Sequence, residues 1–219
     1  EFGALVRATA GVPLTIISGE VEARLVAAGV RTDPALAACP NLTIFDLGGG
    51  SLEVARVRGS EVTLARSYPL GSVRLTHGYL RGGEGVVDEL DQASIRDHLL
   101  RTLGPVLSPR LAEQSLVVGA GGVFSAVALH LEAVGEPVVD GRLPALRIRA
   151  LKDRLSALPL SERRAVPGIP AERADIMPAA LLTVCVLAEL TGAESFQLTH
   201  RGLRHGMVEL MLGPSGSQA

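Results

Sequence analysis

"TIFDLGGGSLEVARV", Thr43 to Val57, is the stretch that decides the fold. A short apolar run reaches Asp46, three glycines (Gly48, Gly49, Gly50) and Ser51 follow, and Glu53 stands just beyond. The run alternates, with Leu42, Ile44 and Asp46 on one face of a strand and Thr43, Phe45 and Leu47 on the other. "SLEVARV" reads as a second strand ending at Gly59-Ser60, and "EVTLARSYPLG" as a third, which makes an antiparallel meander. A hairpin at the glycines brings Glu53 back toward Asp46.

Upstream of the meander, residues 1–10 read as the tail of a helix. "PLTIISG" reads as a short β-rich run and "EVEARLVAAGV" as a helix with a favourable Glu20–Arg24 pair. Downstream, a helix is expected from Val87 to Leu103 on Val87, Leu90, Ile95, Leu99 and Leu103. A buried strand "SLVVGAGG" comes next, followed by helices over "VFSAVALHLEAVG", "ALRIRALKDRLSAL" and "LSERRAV". "ERADIMPAALLTVCVLAELTG" reads as one apolar helix with Pro178 tolerated in its early turns. A strand "SFQLTH" and a last helix "GLRHGMVELML" complete the order, and the tail 213–219 is disordered by composition. The expected class is α/β, a mixed sheet of three antiparallel strands followed by β/α units.

Composition excludes several functions. With 21 basic against 23 acidic residues there is no general drive toward nucleic acid or anionic lipid. Four Phe, two Tyr and no Trp leave little for base stacking. No apolar run reaches membrane-spanning length and no signal peptide is visible, so neither a nucleic-acid nor a membrane partner is expected. Cys39 and Cys185 have no metal-ligand spacing, and a reducing cytoplasm suits them better than a disulfide scaffold. The five histidines also lack metal spacing.

Bare amides at Gly48, Gly49 and Gly50 suit a phosphate oxygen, and Ser51 adds a hydroxyl. Asp46 and Glu53 repel phosphate directly, but they can hold Mg²⁺ or another divalent cation, or its waters, and the cation then meets the phosphate. The plainer alternative is a tight hairpin with an ordinary surface acid on each strand. A second glycine cluster, "GAGG" at Gly119 to Gly122, sits at a strand-to-helix junction where anions bind, and it tips the balance toward a phosphate cleft.

"ISGEVEARL", "FDLGGGSLEV", "YPLGSVRLT", "VVGAGG", "ERAD" and "GLRHGM" occur in the order and spacing of the Ppx/GppA phosphatases, and from Gly11 to Met207 the chain resembles that family. These are exopolyphosphatases and guanosine pentaphosphate phosphohydrolases. The resemblance implies an actin-like, ribonuclease-H-like fold. Residues 1–30 would be the tail of a first actin-like domain with its connecting helix, and 31–212 the second domain. The chain would be part of a longer protein whose first domain supplies the other wall of the cleft. The family is often dimeric, so a homodimer is an expected assembly.

The resemblance also implies roles. Glu22 matches the acid that activates the attacking water; taken alone it would read as charge complementarity at a helix start. Asp46 and Glu53 match the metal-linked acids, Gly48 to Ser51 the phosphate loop, and Gly121 and Gly122 the second glycine turn. Arg74 and Arg173 match arginines suited to a polyanion; the alternatives are a strand-end salt bridge for Arg74 and a helix-entry contact for Arg173. The expected substrates are inorganic polyphosphate or guanosine pentaphosphate, with guanosine tetraphosphate as a further ligand. Relatives usually carry Thr where this chain has Leu52 and Val123, and often an acid at His205. Those losses motivate a second reading, a non-catalytic regulatory module that binds alarmone or polyphosphate. A sugar or acetate kinase of the same fold is a third, disfavoured by "ISGEVEAR" beside the glycine loop.

Overall fold

A computed structural model describes residues 2–107 and 111–213. The helices are α1 (Phe2–Ala10), α2 (Gly19–Arg31), α3 (Ser72–Tyr79), α4 (Glu89–Leu103), α5 (Leu111–Gln114), α6 (Gly122–Ala133), α7 (Ala145–Ser156), α8 (Leu160–Arg163), α9 (Met177–Thr191) and α10 (Leu203–Leu212). The strands are β1 (Asn41–Leu47), β2 (Leu52–Arg58), β3 (Glu61–Tyr68), β4 (Leu116–Ala120), β5 (Arg142–Pro144) and β6 (Ser195–Leu198).

They form one six-stranded sheet in the order β3-β2-β1-β4-β6-β5. β1, β2 and β3 are the expected antiparallel meander, β4 and β6 run parallel to β1, and β5 closes the far edge antiparallel to β6. The alternation read from β1 divides the interior in two. Phe45 and Leu47 face a core built with Leu52, Val54 and the helices α4, α6, α7 and α9. Leu42 and Ile44 face a smaller core with Ala55, Val57 and the α2 residues Val26, Ala27 and Val30. Asp46 continues the second face at the carboxyl end of its strand.

Local chemistry explains the helix starts. Ser18 caps α2 by accepting the Val21 N–H at 3.3 Å, and Asp88 caps α4 by accepting the Leu90 N–H at 2.7 Å. α10 lies across α2 at two glycines. A methyl on Gly206 would overlap the Leu25 carbonyl, and one on Gly29 would overlap the Gly202 carbonyl. The glycines of "GLRHG" are thus a helix-crossing contact, while Arg204 is exposed.

Several expectations need correction. "PLTIISG" is not a strand: residues 13–18 have no regular structure, are exposed, and pair with no strand among the described residues. Leu90 is 71% exposed, so the buried stripe of α4 is Ile95, Leu99 and Leu103. The apolar helix does not begin at "ERAD". Ala171–Arg173 form a 3₁₀ turn, and α9 starts at Met177 with Pro178 in its first turn, where a missing N–H costs no helical bond. The short helices α3 and α5 and the strand β5 were not anticipated. The tail expected to be disordered lies, beyond Gly213, outside the described residues. Among the described residues no helix is long and apolar enough to cross a membrane.

The α2–α10 crossing gives a direct test. Gly206→Ala should lower unfolding stability by about 1–3 kcal/mol through overpacking, read as a lower urea midpoint. An unchanged midpoint would mean that the helices do not cross this closely in solution.

Candidate functional site

The antiparallel register sets Asp46 directly opposite Glu53. Directly opposed residues share a face, so two carboxylates stand side by side at the open end of β1 and β2. Glu53 is 4% exposed and accepts a hydrogen bond from Ser67 Oγ of β3 at 2.7 Å. Asp46 is half-buried and accepts no hydrogen bond among the described residues. Two glycine backbones crowd it: a Cβ on Gly121 would stand 2.6 Å from Asp46 Oδ1, and one on Gly202 3.3 Å from Oδ2. Gly121 has φ +92°, a conformation that itself calls for glycine.

Glu22 joins this pair from the first turn of α2. Burial, then the Glu53 charge, raises its carboxyl above the ordinary range. Burial pushes Asp46 up to about 6, and the charges of Glu53 and Glu22 add to the effect. Three acids therefore gather, and among the described residues none of them forms a salt bridge. Like charges held together this way suit a bound cation. Among the described residues no group of three or more His, Cys, Asp or Glu is arranged to hold a metal by itself. Two carboxylates with the remaining places left to water and phosphate oxygens are what Mg²⁺ commonly takes, so Asp46 and Glu53 fit it as partial ligands.

The glycine turn lies next to them. Gly48 N–H closes it onto the Ser51 carbonyl at 3.0 Å. The start of α3 grips the turn from behind: Ser72 N–H donates to the Gly48 carbonyl at 2.9 Å and Val73 N–H to the Gly49 carbonyl at 3.0 Å. Ser72 Oγ adds a bond to the Gly48 carbonyl at 3.1 Å. Arg74 Nε donates to the Gly50 carbonyl at 3.1 Å, so Arg74 holds the loop as well as lying beside it. With its carbonyls so occupied, the turn has the N–H groups of Gly49, Gly50 and Ser51 left without a protein acceptor among the described residues. Free amides in an exposed turn are the donors an anion needs.

On the other side of the hairpin a cavity of about 300 Å³ is lined by Gly48, Gly49, Ser72, Gly122 and Arg173 over a floor that includes Val123 and Met177. The Arg173 guanidinium lies against Gly122, so close that a methyl on that glycine would overlap it. Arg173 is exposed and has no acidic partner among the described residues. It sits at the N-terminus of α6, whose dipole is also positive, and two positive groups aimed at one space suit an anion. Larger hollows of about 680 Å³ occur elsewhere. One of them lies at the opposite end of the sheet, by Asn41, Leu116 and Ser195, away from the carboxyl ends of the parallel strands where ligands bind in such sheets.

The sequence-predicted residues therefore converge, and three features of the site were not anticipated. Ser67 holds Glu53, and Gly202 presses on Asp46; the signal for Gly202 was present in "GLRHG". The third feature is the grip of α3 on the glycine turn. Leu52 is wholly buried in the larger core, whereas Val123, also buried, lines the cavity that Arg173 borders. His205 Nδ1 accepts the Gly202 N–H at 3.4 Å, closing the first turn of α10 as an acid would.

The sequence pattern of the Ppx/GppA phosphatase family matches residues 1–213. An uncharacterized protein of Streptomyces coelicolor is 32% identical over 212 residues, which are 93% of this chain and 61% of that protein. The chain thus spans about three-fifths of that curated relative. Among solved structures, the Ppx/GppA family member of Aquifex aeolicus superposes with TM-score 0.81 at 24% identity, over 99% of this chain and 70% of that one. An exopolyphosphatase of Cytophaga hutchinsonii superposes with TM-score 0.82 at 20% identity, over 96% of this chain and 69% of that one. At these identities the superpositions establish the fold, and the mixed sheet is that of the actin-like ATPases.

The crowded acids should be visible in stability. Because folding raises the Asp46 pKa to about 6, the folded state loses stability as pH rises from about 4 through 6. Asp46→Asn should therefore stabilise the cation-free protein at pH 7.5 by about 2–3 kcal/mol, and the gain should vanish below about pH 4. Urea unfolding at both pH values checks this, and a loss of stability at pH 7.5 would contradict it.

Proposed function

This chain belongs to the Ppx/GppA phosphatase family, and from that premise we propose that it forms one wall of a cleft where a water molecule cleaves the terminal phosphoanhydride of a condensed phosphate. Inorganic polyphosphate and guanosine pentaphosphate both present that bond. The observation that carries the reading is the gathering of acids and anion-binding groups at the open end of one hairpin. Three acids with no basic partner among the described residues stand beside the glycine turn, and the turn's open amides border a cavity that Arg173, also without an acidic partner among the described residues, lines.

The division of labour follows from these positions. Asp46 and Glu53 hold a divalent cation, Mg²⁺ by the chemistry of the donors, which when bound offsets the charge of the phosphate oxygens. The amides of Gly49, Gly50 and Ser51 donate to non-bridging oxygens, as does the Gly121-Gly122 junction at the start of α6. Arg173 neutralises the next phosphate along the chain. Glu22, with its carboxyl already raised, takes the proton from the attacking water. The water oxygen bonds to the terminal phosphorus, the bridging P–O bond breaks, and the shortened chain leaves with that oxygen. The facing domain that the family supplies would complete the cleft and exclude bulk water. The protein acts in the cytoplasm on this reading.

The test is orthophosphate release from polyphosphate with Mg²⁺, measured with the facing domain joined to this chain. Glu22→Gln should lower the rate by ~10²-fold or more while polyphosphate binding stays intact. Equal rates would reject Glu22 as the base. Saturable binding with no release by the parent protein would instead favour the alarmone-binding regulatory reading.

A further inference from the structure

Glu53 lies in the middle of the meander, and its neighbour on the other side is as informative as Asp46. The β2–β3 register places Ser67 opposite Glu53, so the two side chains share a face. Ser67 Oγ donates to Glu53 Oε1 at 2.7 Å, and among the described residues it is the one hydrogen-bond donor that reaches this carboxylate. A glutamate has three side-chain torsions, and one short bond to a strand hydroxyl removes most of that freedom. Among the described residues Glu53 Oε2 then remains without a donor, opposite the equally unbonded Asp46 carboxylate.

Ser67 is also in contact with the first residue of α2. A methyl on Gly19 would overlap Ser67 Cβ and stand 3.0 Å from its Oγ. Gly19 opens the helix that carries Glu22 in the same turn. A single serine is therefore wedged between the start of one acid's helix and the carboxylate of another acid.

We propose that Ser67 is a positioning residue for the hydrolytic site: its hydroxyl fixes Glu53 beside Asp46, and its contact with Gly19 sets how near the Glu22 helix approaches that pair. The proposal rests on the reading of Asp46 and Glu53 as cation ligands. Groups that orient a ligating carboxylate from behind typically change cation affinity or activity by ~10–100-fold when removed. Ser67 acts through Glu53 and the start of α2, so its effect should appear first in cation binding.

Calorimetric titration with Mn²⁺ alone, on this chain without any substrate, separates the possibilities. The parent chain should bind saturably, and Ser67→Ala should bind ~10-fold or more weakly. Gly19→Ala keeps the hydroxyl but displaces Ser67, and it should weaken binding in the same direction. Melting without cation certifies that each variant is folded; should Ser67→Ala lose its fold, Gly19→Ala carries the comparison. If the parent binds and both variants bind equally well, the positioning role is overturned while the cation reading stands. If the parent itself binds no cation, the reading of Asp46 and Glu53 fails and the role of Ser67 falls with it.

Discussion

One pairing constrains the rest of the molecule: β1 and β2 align so that Asp46 faces Glu53 across two hydrogen-bonded strands. Nothing about sheet stability calls for this, since like charges directly opposite each other are destabilising. The chain nevertheless builds two hydrophobic cores on either face of the same hairpin, and these hold the register. A one-residue slip would exchange the faces and drive Asp46 into the larger core in place of Leu47. The energy that keeps the acids together therefore comes from Phe45, Leu47, Leu42 and Ile44, the apolar residues interleaved with the acid.

Around that pair the helices separate the charges. α2 brings a third carboxylate, Glu22, and is pinned by α10 through a glycine crossing and by Ser67 through its first turn. On the other side of the hairpin, α6 points its N-terminus and α9 is preceded by Arg173, so positive groups collect where the turn's amides are open. α3 occupies the carbonyls of Gly48, Gly49 and Gly50, and the N–H groups of Gly49, Gly50 and Ser51 have no acceptor among the described residues. A polyanion with a cation at its reactive end matches both signs of this arrangement at once.

Much of this was legible in the sequence because it is local. Period-two alternation through β1 placed Asp46 on the face of Leu42 and Ile44, and three glycines before Glu53 signalled the hairpin. The junction at Gly121 and Gly122 was legible for the same reason. What escaped depended on contacts between distant segments. Ser67 looked like any polar residue of an edge strand, and Gly202 like the first residue of the last helix. α3, only Ser72–Tyr79, was hidden behind a proline and a glycine that read as the end of β3. "PLTIISG" was misread because β propensity describes a half-buried pleated surface, and this run has neither burial nor a partner strand among the described residues. The bond from Arg74 Nε to the loop carbonyl of Gly50 also joins segments far apart in the chain and could not be read from the sequence.

The central claim is that Asp46 and its neighbours form an acid cluster in want of a cation. It is tested most directly by following the Asp46 side-chain carboxyl by carbon-13 NMR across pH, without and with Mg²⁺. The account predicts titration near 6 in the cation-free protein and a clear fall toward or below the ordinary carboxylate range when Mg²⁺ is present. An ordinary carboxylate titration that ignores Mg²⁺ would contradict it.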